Sequence, residues 1–282
     1  MISVIVVNYN TKDLLGKCLD SLRGQSFGDM EVIAVDNASS DGSAGMVSAF
    51  YPEVKLIRNA DNQLFCKAQN LGIEASRGDY ILCLNSDCVL DKDYLSIMAA
   101  AMHIEEKIGM VSGKILRIDK KTIDSTGLFV GRNRKAIERG YDREDKGQYD
   151  KPGYVFGVSG ACAFFRRKML AEIKDKHGYF DERFGAYYED LDLCWRANKK
   201  GWKAYYDPKA VAYHARGGTA AGRDNRGKAL IFPYISRDLK KRYIVNKYRC
   251  IVKNDSIFGF LANLPFILWH DIKILGYLAI FR

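Results

Sequence analysis

Apolar positions in the first hundred residues fall into short continuous runs separated by stretches of helical spacing. Ile2 to Val7, Glu31 to Val35, Val54 to Ile57 and Tyr80 to Leu84 have strand length, and three of them are rich in Val and Ile. Continuous runs of this kind suit parallel strands covered on both faces. Between them, Thr11 to Leu22 places Leu14, Leu15, Cys18, Leu19 and Leu22 on one stripe and stops at Gly24. Ser43 to Phe50 and Phe65 to Ala75 also read as helices, and another runs from about Asp91 to Glu105. The alternation predicts right-handed βαβ units, hence an α/β fold with a doubly wound, mostly parallel, Rossmann-like sheet flanked by helices.

Beyond the fourth helix the periodicity weakens. Residues 118 to 152 are polar and rich in Lys, Arg, Asp and Gly, which predicts an excursion over one face. Tyr154 to Arg166 then reads as strand-like around Ser159-Gly160-Ala161, and Asp190 to Lys199 as a helix with Gly201 just past its end. Trp202 to Tyr206 and Ala210 to Tyr213 read as two further short strands. The segment from Ser256 to Arg282 is strongly apolar but contains Pro265 and is interrupted at His270-Asp271, so its uncharged run falls short of the roughly 20 residues of a spanning helix.

Charge sharpens the reading of that tail. The net charge is +10, yet Arg216 to Lys253 alone carries eleven Lys or Arg against Asp224 and Asp238, a balance of +9. A basic block before an apolar segment predicts a helical tail, residues 220–282, lying on an anionic membrane surface; the alternatives are a helical hairpin closing the core or a homodimer contact. Seven cysteines without a Cys-x-x-Cys pair predict reduced, mostly buried thiols and a cytoplasmic setting. The amino terminus enters a strand at once and does not read as a signal peptide.

The candidate chemistry gathers at strand ends. Neither a Gly-x-Gly-x-x-Gly fingerprint nor a P-loop is present, so the usual dinucleotide and P-loop routes to a phosphate are missing. Asn85-Ser86-Asp87 follows the fourth strand, where ligands sit in open α/β sheets. A carboxylate there can hold a hard divalent cation, which in turn can hold a nucleotide diphosphate. Val7-Asn8-Tyr9-Asn10 ends the first strand, and Val35-Asp36-Asn37-Ala38-Ser39-Ser40-Asp41-Gly42-Ser43 ends the second. Asp36 there could accept the N3 hydrogen of a uracil or thymine, with Tyr9 packing beside it. Glu189-Asp190 opens a helix, and either carboxylate could serve simply as a cap or favour the dipole. His214 ends a strand-like run before Gly217-Gly218-Thr219 and, with Asp87, would supply two metal ligands.

These residues together resemble family 2 glycosyltransferases of the GT-A fold, from residue 1 to about 219, through Val7 to Asn10, Val35 to Ser43, Asn85 to Asp87, Ser159 to Ala161, Phe180 to Arg196 and His214. The resemblance implies a transferase domain at 1–219, with a nucleotide-binding half at 1–105 and an acceptor and catalytic half at 106–219. It implies that Val7, Tyr9, Asp36, Asn62, Asn85 and Ser86 meet the nucleotide and that Asp87 and His214 hold Mn or Mg on the donor diphosphate. Asp190 would be the general base of an inverting transfer, supported by Glu189.

Within the family, Ile123 to Gly127, Arg139 to Asp142, Gly147 to Asp150 and Val155 to Gly157 resemble bacterial rhamnosyltransferases that use dTDP-L-rhamnose; a UDP-sugar donor is the alternative. The implied acceptor is a glycan or lipid-linked glycan of cell-surface polysaccharide biosynthesis, at the inner face of the cell membrane. There are departures: Leu64 stands where the family usually has Gly, Gln69 precedes Asn70 where another Asn is common, and the metal motif is Asn-Ser-Asp, not Asp-x-Asp. Two rival classes are a nucleotidyltransferase, which would favour a basic Gly-rich loop after the first strand, and a nucleic-acid-binding module built on the basic block with Phe232, Tyr234, Tyr243 and Tyr248.

Overall fold

A computed structural model describes residues 1–216 and 237–280. The Gly217-Gly218-Thr219 loop, the boundary expected at 219, Phe232, Tyr234 and the first half of the basic block lie outside the described residues.

The first half follows the apolar pattern closely. The strands β1 (Ile2–Asn8), β2 (Met30–Asp36), β3 (Lys55–Arg58) and β4 (Tyr80–Asn85) alternate with helices α1 (Lys12–Arg23), α2 (Ser43–Phe50) and α3 (Leu64–Glu74). β1 pairs in parallel with both β2 and β4, and β2 with β3. β1 has apolar side chains on both faces: Ile2, Val4 and Val6 join the core under α1, while Ile5 joins the one under α3. Leu15, Cys18, Leu19 and Leu22 of α1 are buried as the stripe requires.

The second half turns the sheet into a mixed one. After β5 (Cys88–Leu90) and α4 (Tyr94–Met102) come β6 (Ile108–Arg117), β7 (Ile123–Ser125), β8 (Leu128–Val130), β9 (Ala136–Glu138), β10 (Gly153–Val155) and β11 (Cys162–Arg166). Helices α5 (Arg167–Ile173) and α6 (Glu189–Lys199) then lead into β12 (Lys203–His214). The main path of the sheet runs β10-β12-β6-β11-β4-β1-β2-β3, with β11 antiparallel to β4 and β6. Several expectations change here. The run from Tyr154 to Arg166 is two strands, β10 pairing β12 and β11 inserted between β4 and β6. The two strands expected at 202–206 and 210–213 are one, β12, kinked by a register shift between Asp207 and Val211. The fourth helix is only nine residues long: Asp91 to Asp93 form a turn before it and His103 caps its end.

The polar excursion is held down by ion pairs and hydrogen bonds rather than by a core of its own. Lys114 of β6 is buried and reaches Asp145 at 2.7 Å and Asp150 at 2.5 Å. Arg139 Nη2 donates to Thr126 O at 2.6 Å, and Tyr206 OH to Tyr149 O at 3.0 Å.

Two helices close the chain, α7 (Arg237–Asn254) and α8 (Ile257–Ile280). α7 packs on α6, where Lys253 Nζ reaches Asp181 at 2.8 Å and Asp192 at 3.2 Å, both carboxylates fully buried. α8 runs unbroken through Pro265 and His270-Asp271, so the interruption expected from the sequence does not occur. Residues 257–276 are long and apolar enough to cross a bilayer by length and composition. Its inner side is anchored by the buried Ile267, by Lys247 with Asp271 at 2.5 Å and by Arg134 Nη2, which donates to Gly259 O at 3.0 Å. Phe258, Leu261, Trp269, Ile272 and Leu275 face outward.

Candidate active site

Three strand ends are tied to one another. Asn8, fully buried at the end of β1, donates from Nδ2 to Asp36 Oδ1 at 3.0 Å and to Ser39 Oγ at 3.1 Å. Its Oδ1 accepts the Thr11 hydroxyl, which lies 2.8 Å from Ser86 Oγ after β4. This chain of polar contacts fixes one wall of a cavity of about 550 Å³ at the carboxyl end of the parallel strands.

Val7, Tyr9, Asn62, Asn85, Ser86, Asp87, Glu189, Asp190 and His214 all line that cavity. Asp36 does not. Its second oxygen accepts the Ser39 N–H at 3.1 Å, so the carboxylate sits behind the wall joining β1 to β2, and Asn37 lines the cavity in its place. Asn37 had no signal beyond adjacency; its amide donates to Asn62 Oδ1 at 2.8 Å and shapes the Asn62 turn. Leu64 adopts a left-handed φ of 62°, a conformation that favours glycine, and its side chain lines the cavity.

At the far wall His214, at the end of β12, stands between two carboxylates. Nε2 lies 3.2 Å from Asp87 Oδ1 and Nδ1 lies 2.8 Å from Asp124 Oδ2. Arg216 Nε meets the other oxygen of Asp124 at 2.5 Å. Burial opposes charge on the imidazole, but the hydrogen bonds to Asp124 and Asp87 outweigh it and hold the ring's pKa up to about 10. Asp124 is held well below the usual carboxylate range: burial works against its charge, but the contacts with His214 and Arg216 prevail. A carboxylate fixing one imidazole nitrogen while the other points at a second carboxylate oxygen is the outer-shell arrangement of histidine metal sites. Cys88 Sγ joins Asp87 and His214 in a group whose ligand atoms all lie within 4.8 Å of one another. Burial, however, raises the Cys88 thiol's pKa, and the thiol donates to Ala161 O. The hard oxygen and the imidazole fit a divalent cation with positions left for phosphate oxygens.

Opposite, Asp190 opens α6. Its Oδ2 accepts the Gly160 N–H at 3.2 Å and its Oδ1 the Leu191 N–H at 2.7 Å. Burial raises its pKa against those two donors. Glu189 is buried and pushed up to about 8, by burial first and by the charge of Asp190 second. A third acid, Glu138 of β9, is also pushed up to about 8, by burial and then by Asp190, although it holds the Ser125 hydroxyl. Sequence reasoning missed Glu138 and Asp124, both carried by the excursion, where no local period marks them. The site thus joins the Asp87–His214 pair and Arg216 to a group of acids on α6 and β9.

None of the residues behind the rhamnosyltransferase likeness lines the cavity. Asp150 and Tyr149 hold the excursion to the sheet, and Asp124 reaches the site through His214 and Arg216.

The profile of a family described as Glycosyl transferase family 2 matches residues 3–174. An N-acetylglucosaminyltransferase of Bradyrhizobium diazoefficiens is 28% identical over 219 residues, covering 75% of this chain and 44% of that protein. The amylovoran biosynthesis glycosyltransferase AmsB of Erwinia amylovora is 27% identical over 256 residues, covering 87% and 79%. Among solved structures, GalNAc-T7 with UDP, GalNAc and Mn2+ superposes with a TM-score of 0.67 at 14% identity, covering 89% of this chain and 48% of that one, which identifies the fold as GT-A. The chain spans less than half the length of the Bradyrhizobium relative.

Proposed function

The chain belongs to glycosyl transferase family 2, and from that premise we propose that it moves a sugar from a UDP-linked donor, N-acetylglucosamine foremost, onto a hydroxyl of a glycan or lipid-linked acceptor. Support for the sugar comes from the N-acetylglucosaminyltransferase name of one relative, and for the nucleotide from the UDP in the GalNAc-T7 complex. The dTDP-rhamnose donor expected from the excursion motifs gives way to this reading. Family membership likewise replaces the nucleotidyltransferase and nucleic-acid readings.

The observation that carries the mechanism is that Asp190 and the Asp87–His214 pair line one cavity. The uridine is proposed to lie along Val7, Tyr9 and Asn62, at the strand ends that Asp36 ties together, with Asn85 and Ser86 beside the ribose. Asp87 and His214 would hold Mn2+ or Mg2+, which supplies positive charge for the departing diphosphate. Asp190 accepts the acceptor's proton as the acceptor oxygen bonds to the anomeric carbon and the bond from that carbon to the diphosphate breaks, inverting the centre. Burial raises the pKa of Asp190 and so narrows its distance from that of an alcohol. The buried Glu189 beside it keeps the base in an acidic, poorly hydrated corner.

The transferase unit is proposed as residues 1–219, with the tail resting its outward apolar face on the anionic inner leaflet of the cell membrane. The donor assignment is tested by thermal shift with Mn2+ and UDP-N-acetylglucosamine, UDP-glucose, UDP-galactofuranose and dTDP-rhamnose. UDP-N-acetylglucosamine is expected to raise Tm most. A larger rise with dTDP-rhamnose would overturn it.

A further inference from the structure

We infer that Asn246 of α7, a residue outside the cavity, is a positioning residue for Asp190; the inference rests on the proposed role of Asp190 as base. The turn that delivers Glu189 and Asp190 to the start of α6 is an unusual piece of backbone. Gly185, Tyr187 and Tyr188 have φ of 67°, 68° and 70°. For the two tyrosines a left-handed conformation is sterically unfavourable, so it persists only where the surroundings impose it.

Asn246 imposes it. The side chain is fully buried, and its Nδ2 donates to the carbonyls of Phe184 at 2.8 Å, Ala186 at 2.9 Å and Tyr187 at 2.9 Å. An amide has two N–H groups, so three carbonyls converge on two donors and the turn is gathered around a single nitrogen. The amide cannot be reversed without loss, because Arg249 Nη1 donates to its Oδ1 at 2.6 Å. One turn earlier, Tyr243 sets its ring edge-on to Tyr187 and Tyr188, with centroids 6.1 and 5.1 Å apart. The Tyr188 carbonyl then accepts the Asp192 N–H at 2.9 Å, the first bond of α6. The direction of Asp190 toward Gly160 is therefore set by a tail helix none of whose described side chains lines the cavity.

The test uses the full chain carrying Asn246→Ala or Asn246→Asp, with kcat and KM for transfer and the Kd for UDP with Mn2+. Asn246→Ala is expected to lower kcat about ten- to a hundredfold, the cost of a displaced reacting group, with UDP affinity unchanged. Asn246→Asp keeps the volume but turns an acceptor toward three carbonyls, so it should be the worse of the two. If Asp proves milder than Ala, or if UDP affinity falls in step with kcat, the side chain merely packs and the inference fails. Should either variant not fold, Asn246→Ser, which keeps a single donor for the turn, is expected to lower kcat with UDP affinity intact; an unchanged kcat overturns the inference. Asp190→Asn, assayed alongside, separates the two ideas: full turnover there removes the base assignment itself.

Discussion

Asp124 Oδ2 lies 2.8 Å from His214 Nδ1, so a residue of the polar excursion orients an imidazole at the end of the kinked strand β12. The excursion is thereby part of the site. Asp124→Asn should keep a hydrogen-bonding partner for the ring but remove the charge that favours it. Mn2+ affinity in the presence of UDP, followed by calorimetry, is expected to fall about ten- to a hundredfold, as for other outer-shell partners of metal-binding histidines. Unchanged affinity would remove Asp124 from the site.

Asp190→Asn should preserve UDP and Mn2+ binding and lose turnover by about 10² to 10⁴, the usual contribution of a positioned base. Single-turnover transfer measured with donor at saturation separates this from a binding defect. Retained turnover would refute the assignment.

Glu189 gives a pH signature. Its folded pKa of about 8 lies above the ordinary 4.5. Between those values the unfolded chain has released a proton that the folded chain keeps, so stability falls as pH rises across that window and is unaffected by this group below it. One such group contributes at most about 1.4 kcal/mol per pH unit. Tm recorded from acid to mildly alkaline pH should therefore decline less steeply in Glu189→Gln than in the parent. Parallel curves would show that Glu189 binds its proton equally in the folded and unfolded chain.

The outward face of α8 makes a fourth case. Replacing Phe258, Trp269 and Ile272, exposed by 82%, 60% and 60%, with Glu should abolish flotation with anionic vesicles while leaving Tm nearly unchanged, since these side chains are mostly exposed. Vesicle binding that survives the triple change would move the contact elsewhere. A dimer in solution that the same change dissociates would assign this face to a second copy of the chain.

The parallel half was legible because β1, β2 and β4 are largely buried on both faces and so written as apolar runs broken inside only by Ser3 and Glu31. β6 was not. Gly109, Gly113 and the buried Lys114 break up its pattern, and each has a physical reason. A Cβ on Gly113 would stand 2.3 Å from Ala210 O, and Lys114 is paired with Asp145 and Asp150. The candidate site was legible where residues sit at strand ends, as Asp87 and His214 do. Its remaining members depend on long-range placement: Asp124 and Glu138 arrive on short strands of three residues, and the apolar interruption at His270-Asp271 is neutralised by Lys247 from another helix.

Lys253 and Asn254, at the last turn of α7, also meet Asp192, and Lys253 meets Asp181. A chain shortened after Arg216 would retain each cavity residue named above yet lose the helix packed on α6 and the Lys253 contacts of Asp181 and Asp192, leaving Arg183 and Arg196 as their partners. Inactivity of such a fragment would therefore speak of a destabilised scaffold, and say nothing about whether catalysis needs a lipid surface.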